Sequence, residues 1–283
     1  MKSYLQYKQT VAGYQDVSET IKTLEKISTG KLHNLKKQIK EAENRAKLLS
    51  GLYRRLSFLD SKLNVPASAN SSVDKKKLTV VVTGQLGLVG DMWHKLHKSV
   101  TDSFAAGEDL LVLGSKGKVM WSTERVGSIS FRELSLLEST DAEINTLATD
   151  LNNFVTNGTY DIIDLMYLHS NSVTEQVPLK LTLLPVLLSD AGEAKEESVG
   201  YPIVDGSISE LVSILSEKYL AGVIYQVLLE TAVSEHAART ITLEHAAVKT
   251  EDLIKAEGRS FRRERRRLNT EKQLEQFAIL KGV

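Results

Sequence analysis

Cysteine is absent from the 283 residues, which excludes disulfides and cysteine-based metal sites. Proline is nearly absent: the four present are Pro66, Pro178, Pro185 and Pro202. Everything before the first and after the last therefore lacks the commonest helix breaker. No net charge remains, because 36 basic side chains balance 36 acidic ones. That balance argues against a bulk electrostatic partner such as nucleic acid. No uninterrupted apolar run reaches the ~18 residues of a membrane span, so no spanning segment is expected, and any membrane association is expected to come through a partner. The start, Met1 to Gly13, lacks the apolar segment of a secretory signal. What is present is 42% apolar residues, enough for a core.

The two ends of the chain carry the most information. From Ile208 to Leu280 there is no proline, and the only glycines are Gly222 and Gly258. A continuous helix there would be roughly 110 Å long at ~1.5 Å per residue. Such a helix outruns an ordinary core and needs another long helix or a partner beside it. Ser3 to Leu63 predicts a second long helix. Counting in steps of four and three gives a seam of Val17, Ile21, Leu24, Ser28, Lys31, Leu35, Gln38, Ala42, Arg45, Leu49, Leu52, Leu56, Leu59 and Leu63. It has apolar ends and a polar middle, as if the helix left one environment for another.

Between the helices lies a different pattern. Asn64 to Ser72 is a linker by composition. Leu78 to Thr83, Asp109 to Leu113, Tyr160 to Leu168 and Gln176 to Leu184 predict strands, and Lys118 to Ser122 suggests another. Asp91 to Phe104 and Phe131 to Phe154 predict helices. A polar loop, Ser189 to Ser198, precedes Tyr201-Pro202, and Gly206-Ser207 opens the last helix. The expected fold class is α/β: a long antiparallel coiled coil of N- and C-terminal helices plus a Rossmann-like α/β domain with a largely parallel sheet. The expected boundaries are 1–63 for the first helix, 64–77 for the linker, 78–205 for the α/β domain and 206–283 for the second helix.

Candidate chemistry is sparse. The turn after the first strand has glycines at Gly84, Gly87 and Gly90. It has neither the G-x-G-x-x-G spacing of a dinucleotide fold nor the Gly-Lys-Ser/Thr ending of a phosphate loop, and is expected to be a tight strand-to-helix turn. His94 and His97 share a helical face but have no carboxylate or cysteine to complete a metal set. They are expected to be packed or solvated, as are His236 and His245. No Ser/His/Asp arrangement or paired carboxylate emerges, so no catalytic or metal site is expected. The strongest charge feature is a basic patch: Arg259, Arg262, Arg263, Arg265, Arg266 and Arg267. Phosphate groups or an acidic protein surface would suit it. A seam of Leu243, Ala247, Thr250, Ile254, Phe261 and Leu268 through the same stretch favours a helix pair with its charge facing outward.

These residues resemble the gamma subunit of F-type ATP synthases, the central rotor shaft. Tyr219, Tyr225-Gln226, Glu230 and Ser234-Glu235-His236-Ala237-Ala238-Arg239 resemble the family's S-E-x-x-A-R stretch. Leu253-Ile254, Arg265, Thr270 and Glu275 fall at the spacing of its terminal signature. Gly87-Leu88-Val89-Gly90 is similar to its G-L-C-G, and Gly114-Ser115-Lys116-Gly117 to its G-x-K-G. Gln176-Val177-Pro178 and Leu184-Pro185 resemble its Q-V-P and L-P, while Ile21-Lys22 and Lys26-Ile27-Ser28 resemble its I-K and K-I-T. The departures cluster at the shaft tip. Lys31-Leu32-His33-Asn34-Leu35 replaces Met-Val-Ala, Arg266 replaces a glutamine, Lys272 replaces an acid, and Ala278-Ile279-Leu280 replaces small residues.

The resemblance implies a non-catalytic rotor subunit. It would couple proton flow through the membrane ring to ATP synthesis or hydrolysis in an alpha–beta hexamer. Lys26, Ile27, Arg239, Arg265, Thr270 and Glu275 are the implied hexamer contacts. Implied partners are alpha and beta subunits at 3:3:1, the epsilon subunit and the c-ring, with no direct nucleic acid. ATP and Mg would bind the partner hexamer, leaving this chain without a cofactor. The implied location is peripheral, on the cytoplasmic face of a bacterial membrane, with the matrix side of the mitochondrial inner membrane second. The lack of a transit-like leader and of cysteines favours the bacterial placement. Two alternatives stand beside it: the shaft of a divergent F-type-like rotary ATPase with another ion or task, and a coiled-coil adaptor for nucleic acid or filaments.

Overall fold

The structure, a computed structural model, describes residues 3–63, 76–104, 107–122, 128–184 and 207–280. Residues 64–75 of the predicted linker and the polar loop, Ser189 to Ser198, with Tyr201-Pro202 after it, lie outside the described residues, and Lys77, expected in the linker, opens the first strand. Two long helices bracket the rest: α1 (Tyr4–Leu63) and α5 (Ile208–Leu280). Between them run β1 (Lys77–Val82), α2 (Met92–Ser103), β2 (Asp109–Leu113), α3 (Ser115–Trp121), β3 (Ile129–Arg132), α4 (Asp141–Thr156), β4 (Ile162–Ser170) and β5 (Gln176–Leu184).

Contacts divide the chain into two units, one of residues 31–238 and one of residues 1–30 with 239–283. The larger unit contains the sheet, ordered β3-β2-β1-β4-β5. The first four strands are parallel, and β5 closes one edge antiparallel to β4. Pro178 sits on that edge strand, where a missing backbone donor is tolerated.

Side chains alternate across the sheet. On one face Val80, Val82, Leu165 and Tyr167 pack with Ile144, Leu147 and Leu151 of α4 and with Leu220, Ile224 and Leu228 of α5. Leu32, Leu35 and Ala42 of α1 join the same cluster. On the other face Val81, Val112, Met166 and Leu168 pack against Met92, Trp93 and Leu96 of α2 and Trp121 of α3. Each such fully buried aliphatic or aromatic side chain contributes roughly 1.5–3 kcal/mol relative to exposure. Inside this unit α1 and α5 run antiparallel, with Tyr53 stacked on Tyr219 at 6.0 Å.

The smaller unit is an antiparallel helix pair. Tyr4 stacks on Phe261 at 5.0 Å, and the Lys22 ammonium lies 2.8 Å from a Glu251 carboxylate oxygen. Hydrogen bonding and charge in that pair hold Lys22 above and Glu251 below their usual ranges.

Three expectations are corrected. First, the α1 seam is out of step at alternate positions. The positions turned inward are Tyr4, Tyr7, Val11, Tyr14, Ser18, Ile21, Glu25, Ser28, Leu32, Leu35, Ile39, Ala42, Ala46, Leu49 and Tyr53. Lys31, Gln38 and Arg45 are exposed, and Val17 is 49% exposed beside a buried Ser18. The polar middle disappears once the second seam position moves one residue later. Second, Lys118 to Ser122 is not a strand: residues 115–121 form α3. Third, Phe131 to Phe154 is not one helix. Its first residues pair with β2 as β3, and α4 starts only at a capping box. There the Thr140 hydroxyl accepts from the Glu143 amide, and the Glu143 carboxylate accepts from the Thr140 amide at 2.8 Å.

By length and composition alone α5 could cross a membrane, with an 18-residue window of mean hydropathy 1.3 that is 33% buried. Length and composition do not separate a core helix from a span.

Candidate functional site

The motifs that are far apart in the chain meet at the C-terminal edge of the parallel strands. In open α/β sheets this edge, at the point where strand order reverses, is where ligands bind. The reversal here lies between β1 and β4, and α5 occupies it. The Ser234 hydroxyl lies 2.9 Å from the Leu168 carbonyl near the end of β4 and 3.0 Å from the Glu230 carbonyl one turn back. The next residue, Glu235, is 3% exposed. Its carboxylate accepts a hydrogen bond from the Leu86 amide at 2.7 Å, in the turn that follows β1.

That turn is shaped around the carboxylate. A Cβ at Gly84 would overlap both carboxylate oxygens of Glu235. The backbone then continues through Leu88 and Gly90, both at positive φ, 61° and 63°. The Gly84 carbonyl accepts from the Lys116 amide at 3.1 Å, joining the turn to the G-S-K-G stretch. Thr83 completes the join: its hydroxyl donates to the Leu113 carbonyl at 2.6 Å and accepts from the Gly117 amide at 2.9 Å. Gly114 (φ 94°) leaves no room for a side chain against Thr83.

One turn earlier on α5, Glu230 is also buried. Its carboxylate lies 2.8 Å from His169 Nδ1 and accepts from the Gln226 side-chain Nε2 at 2.8 Å. Burial, then the neighbouring Glu230 charge, pushes the Tyr167 phenol up. A cleft of about 330 Å³ opens beside this pair, lined by Lys36, Lys40, Glu43, His169 and Ser172 among others. At the opposite end of β4 a second polar group is buried. Burial pushes the Asp164 carboxyl up, but hydrogen bonds from Lys180, Thr182 and Lys77 outweigh it and leave it below its usual range. Lys77 reaches both Glu108 at 2.8 Å and Asp164 at 3.2 Å.

The residues expected to contact a hexamer are not brought together. Lys26 and Ile27 are exposed on α1, Ile27 by 52%. Arg239 is half-buried, and its Nε has no hydrogen-bond partner among the described residues. Arg265, Thr270 and Glu275 are exposed on α5 beyond Phe261, the residue that meets the start of α1. Ile27 and Tyr4 alone are about 35 Å apart along α1 at the helical rise. All six arginines of the basic patch are exposed. Arg267 pairs with Glu264 and Glu271; the other five, Arg259, Arg262, Arg263, Arg265 and Arg266, have no ion pair among the described residues.

Of the histidines, His94 is exposed, His97 lies against Trp121 at 4.8 Å, His236 is buried and His245 is exposed. No group of three or more metal-binding side chains occurs among the described residues. Sequence reasoning missed His169 and Leu86. Nothing local marks a backbone amide as the partner of a carboxylate 149 residues away.

The family model described as ATP synthase matches residues 3–272. Among curated relatives, the ATP synthase gamma chain of Mesoplasma florum is 24% identical over 241 residues, covering 84% of each chain. That of Parabacteroides distasonis is 26% identical over 261 residues, covering 90% of each. The fold is similar to a chain of the Tetrahymena thermophila mitochondrial ATP synthase central stalk and c-ring. The TM-score is 0.61 at 19% identity, over 80% of this chain and 99% of that one. A chain of the Euglena gracilis mitochondrial ATP synthase gives 0.53 at 13% identity, over 91% and 94%. With the match running nearly end to end, this chain belongs to the ATP synthase gamma-chain family.

Proposed function

We propose that this chain is the rotating central stalk of an F-type ATP synthase. It would connect a proton-conducting c-ring to an alpha–beta hexamer that makes or hydrolyses ATP. The observation that carries the reading is the family match over residues 3–272. Two structural features support it: an antiparallel helix pair suited to act as a shaft, and an α/β body to which α5 is fastened by polar contacts as well as by its core. The chain itself would supply no catalytic group and bind no cofactor, ATP and Mg remaining with the hexamer. Its role is a coupling between rotor angle and nucleotide affinity, and such a coupling acts in both directions.

Lys26, Ile27, Arg239, Arg265, Thr270 and Glu275 are the proposed contacts to the hexamer. The exposed arginines from Arg259 to Arg267 would attract an acidic surface of the catalytic subunits over a distance set by salt. The epsilon subunit would join the α/β body beside the c-ring. The complex would sit peripherally on the cytoplasmic face of a bacterial membrane. Purification of the tagged chain from its native membranes tests this. Alpha and beta subunits at 3:3:1, with epsilon and the c-ring, are the expected result. Recovery with nucleic acid or filaments and without alpha and beta would overturn it.

A further inference from the structure

The apolar packing of α5 on the sheet resists separation, but burial is non-directional. Around residues 227–238, all of them buried, it constrains the rotation of α5 about its own axis less sharply than hydrogen bonds do, because their geometry is narrow. On α5 three side chains bond to the strand ends or the turn beyond them: Glu230 to His169, Ser234 to the Leu168 carbonyl and Glu235 to the Leu86 amide. Glu235 is the most specific of the three. Its carboxylate lies over Gly84, where a single methyl group would overlap it, and it stands three residues before Ala238, where α5 leaves the larger unit.

We propose that Glu235 is a positioning residue. Its carboxylate is the resident anion of the glycine turn at Gly84–Leu86 and fixes the angular setting of α5 against the sheet. Torque delivered to the α/β body then passes into the shaft without slip. In a nucleotide-binding relative of this architecture the same edge would hold a ligand's phosphate; here the chain's own helix fills the place. The inference rests on the central-stalk reading above.

The test uses the assembled, membrane-bound complex carrying Gly84→Ala, Glu235→Ala or both. The first variant leaves Glu235 intact but drives its carboxylate off the Leu86 amide. Because the colliding atoms are the far end of a flexible side chain, the fold can yield without breaking. Two quantities are read: protons pumped per ATP hydrolysed, and hydrogen exchange in the peptide containing Leu86. Each single variant should lower the pumping ratio about twofold to threefold. Exchange at Leu86 should rise roughly tenfold, as for loss of one charge-assisted hydrogen bond. The double variant should be no worse than Glu235→Ala alone, since the two changes remove one interaction. Added formate should restore Glu235→Ala by refilling the turn, and should not restore the double variant, whose alanine methyl occupies the space.

A wild-type pumping ratio in Gly84→Ala with raised exchange would overturn the positioning role. Additive losses in the double variant, or absence of formate rescue, would overturn the resident-anion assignment. Absence of alpha and beta subunits from the wild-type complex would instead overturn the central-stalk reading. If Glu235→Ala fails to assemble, Gly84→Ala decides the matter alone.

Discussion

The helix α5 is one element in two regimes. From Leu220 to Ala238 it is largely buried, and its polar side chains Glu230, Ser234 and Glu235 are bonded to strand ends and to the turn after β1. From Arg239 onward its inward positions are Leu243, Ala247, Thr250, Ile254, Phe261 and Leu268, only the first three of them buried. Beyond Phe261 its apolar side chains Leu274, Phe277, Ile279 and Leu280 stand 63–81% exposed. The backbone is equally helical throughout. The difference shows that helix formation and helix anchorage are separate properties: the first stretch is held by the sheet, the next rests on α1 as far as Phe261, and the end beyond it is left exposed.

Substitutions that probe this contrast should scale accordingly. Ile224→Ala, in the sheet-bound stretch at 1% exposure, should destabilise the sheet-containing unit by about 2–5 kcal/mol. A shift of the urea midpoint reads this directly. The same truncation at half-buried Ile254 should cost clearly less, and an equal loss would erase the distinction between the two regimes. Ser234→Ala should remove about 1–2 kcal/mol, the worth of a buried hydroxyl bonded to a strand-end carbonyl.

Acid sensitivity should belong to the sheet unit. The Asp164 carboxyl titrates lower in the folded chain than in an unfolded one. The stability it supplies is therefore complete above the ordinary aspartate range and is lost as pH falls through the lower folded value. Asp164→Asn should be less stable at neutral pH and show a flatter loss of stability below about pH 4. Circular dichroism across an acid titration measures both.

The smallest effect on stability belongs to the arginines. Arg263→Gln should change stability by less than ~0.5 kcal/mol, as for an exposed site without an ion pair. Neutralising Arg259, Arg262, Arg263, Arg265 and Arg266 together should nonetheless weaken coupled pumping, most at low salt where screening is least. Unchanged coupling at low salt would remove the electrostatic role proposed for them.

Regular elements were the most legible part of this chain. The absence of proline marks both terminal helices, a β-branched run marks β1 and short apolar-rich runs mark β2 and β5, because those signals are local. The failures have local causes too. Lys118 to Ser122 looks like a strand, yet Gly117 lacks the side chain that would strike Val112 and Thr83, so the chain can turn helical tightly under β2. The Thr140–Glu143 capping box was available to place the start of α4 and separates it from β3. The α1 seam departs at alternate positions because the inward-facing Ser18 and Glu25 are polar, so a count started at the apolar Val17 falls on Leu24 and then on the exposed Lys31, Gln38 and Arg45. At the site, Ser234-Glu235 was legible as a motif but its role was not. A carboxylate's partner 149 residues away is a property of topology, and a backbone amide leaves no mark in the sequence.

The seam of α1 has one consequence beyond burial. From Tyr4 to Ser28 its inward positions repeat strictly every seven residues. A straight α-helix falls behind such a repeat by ~20° per heptad, and the pair must wrap left-handed to keep its seam closed. A wrapped pair has a hand. Twisting its ends in one sense winds it tighter and in the other unwinds it, so the two directions of rotation do not load this part of the molecule as mirror images.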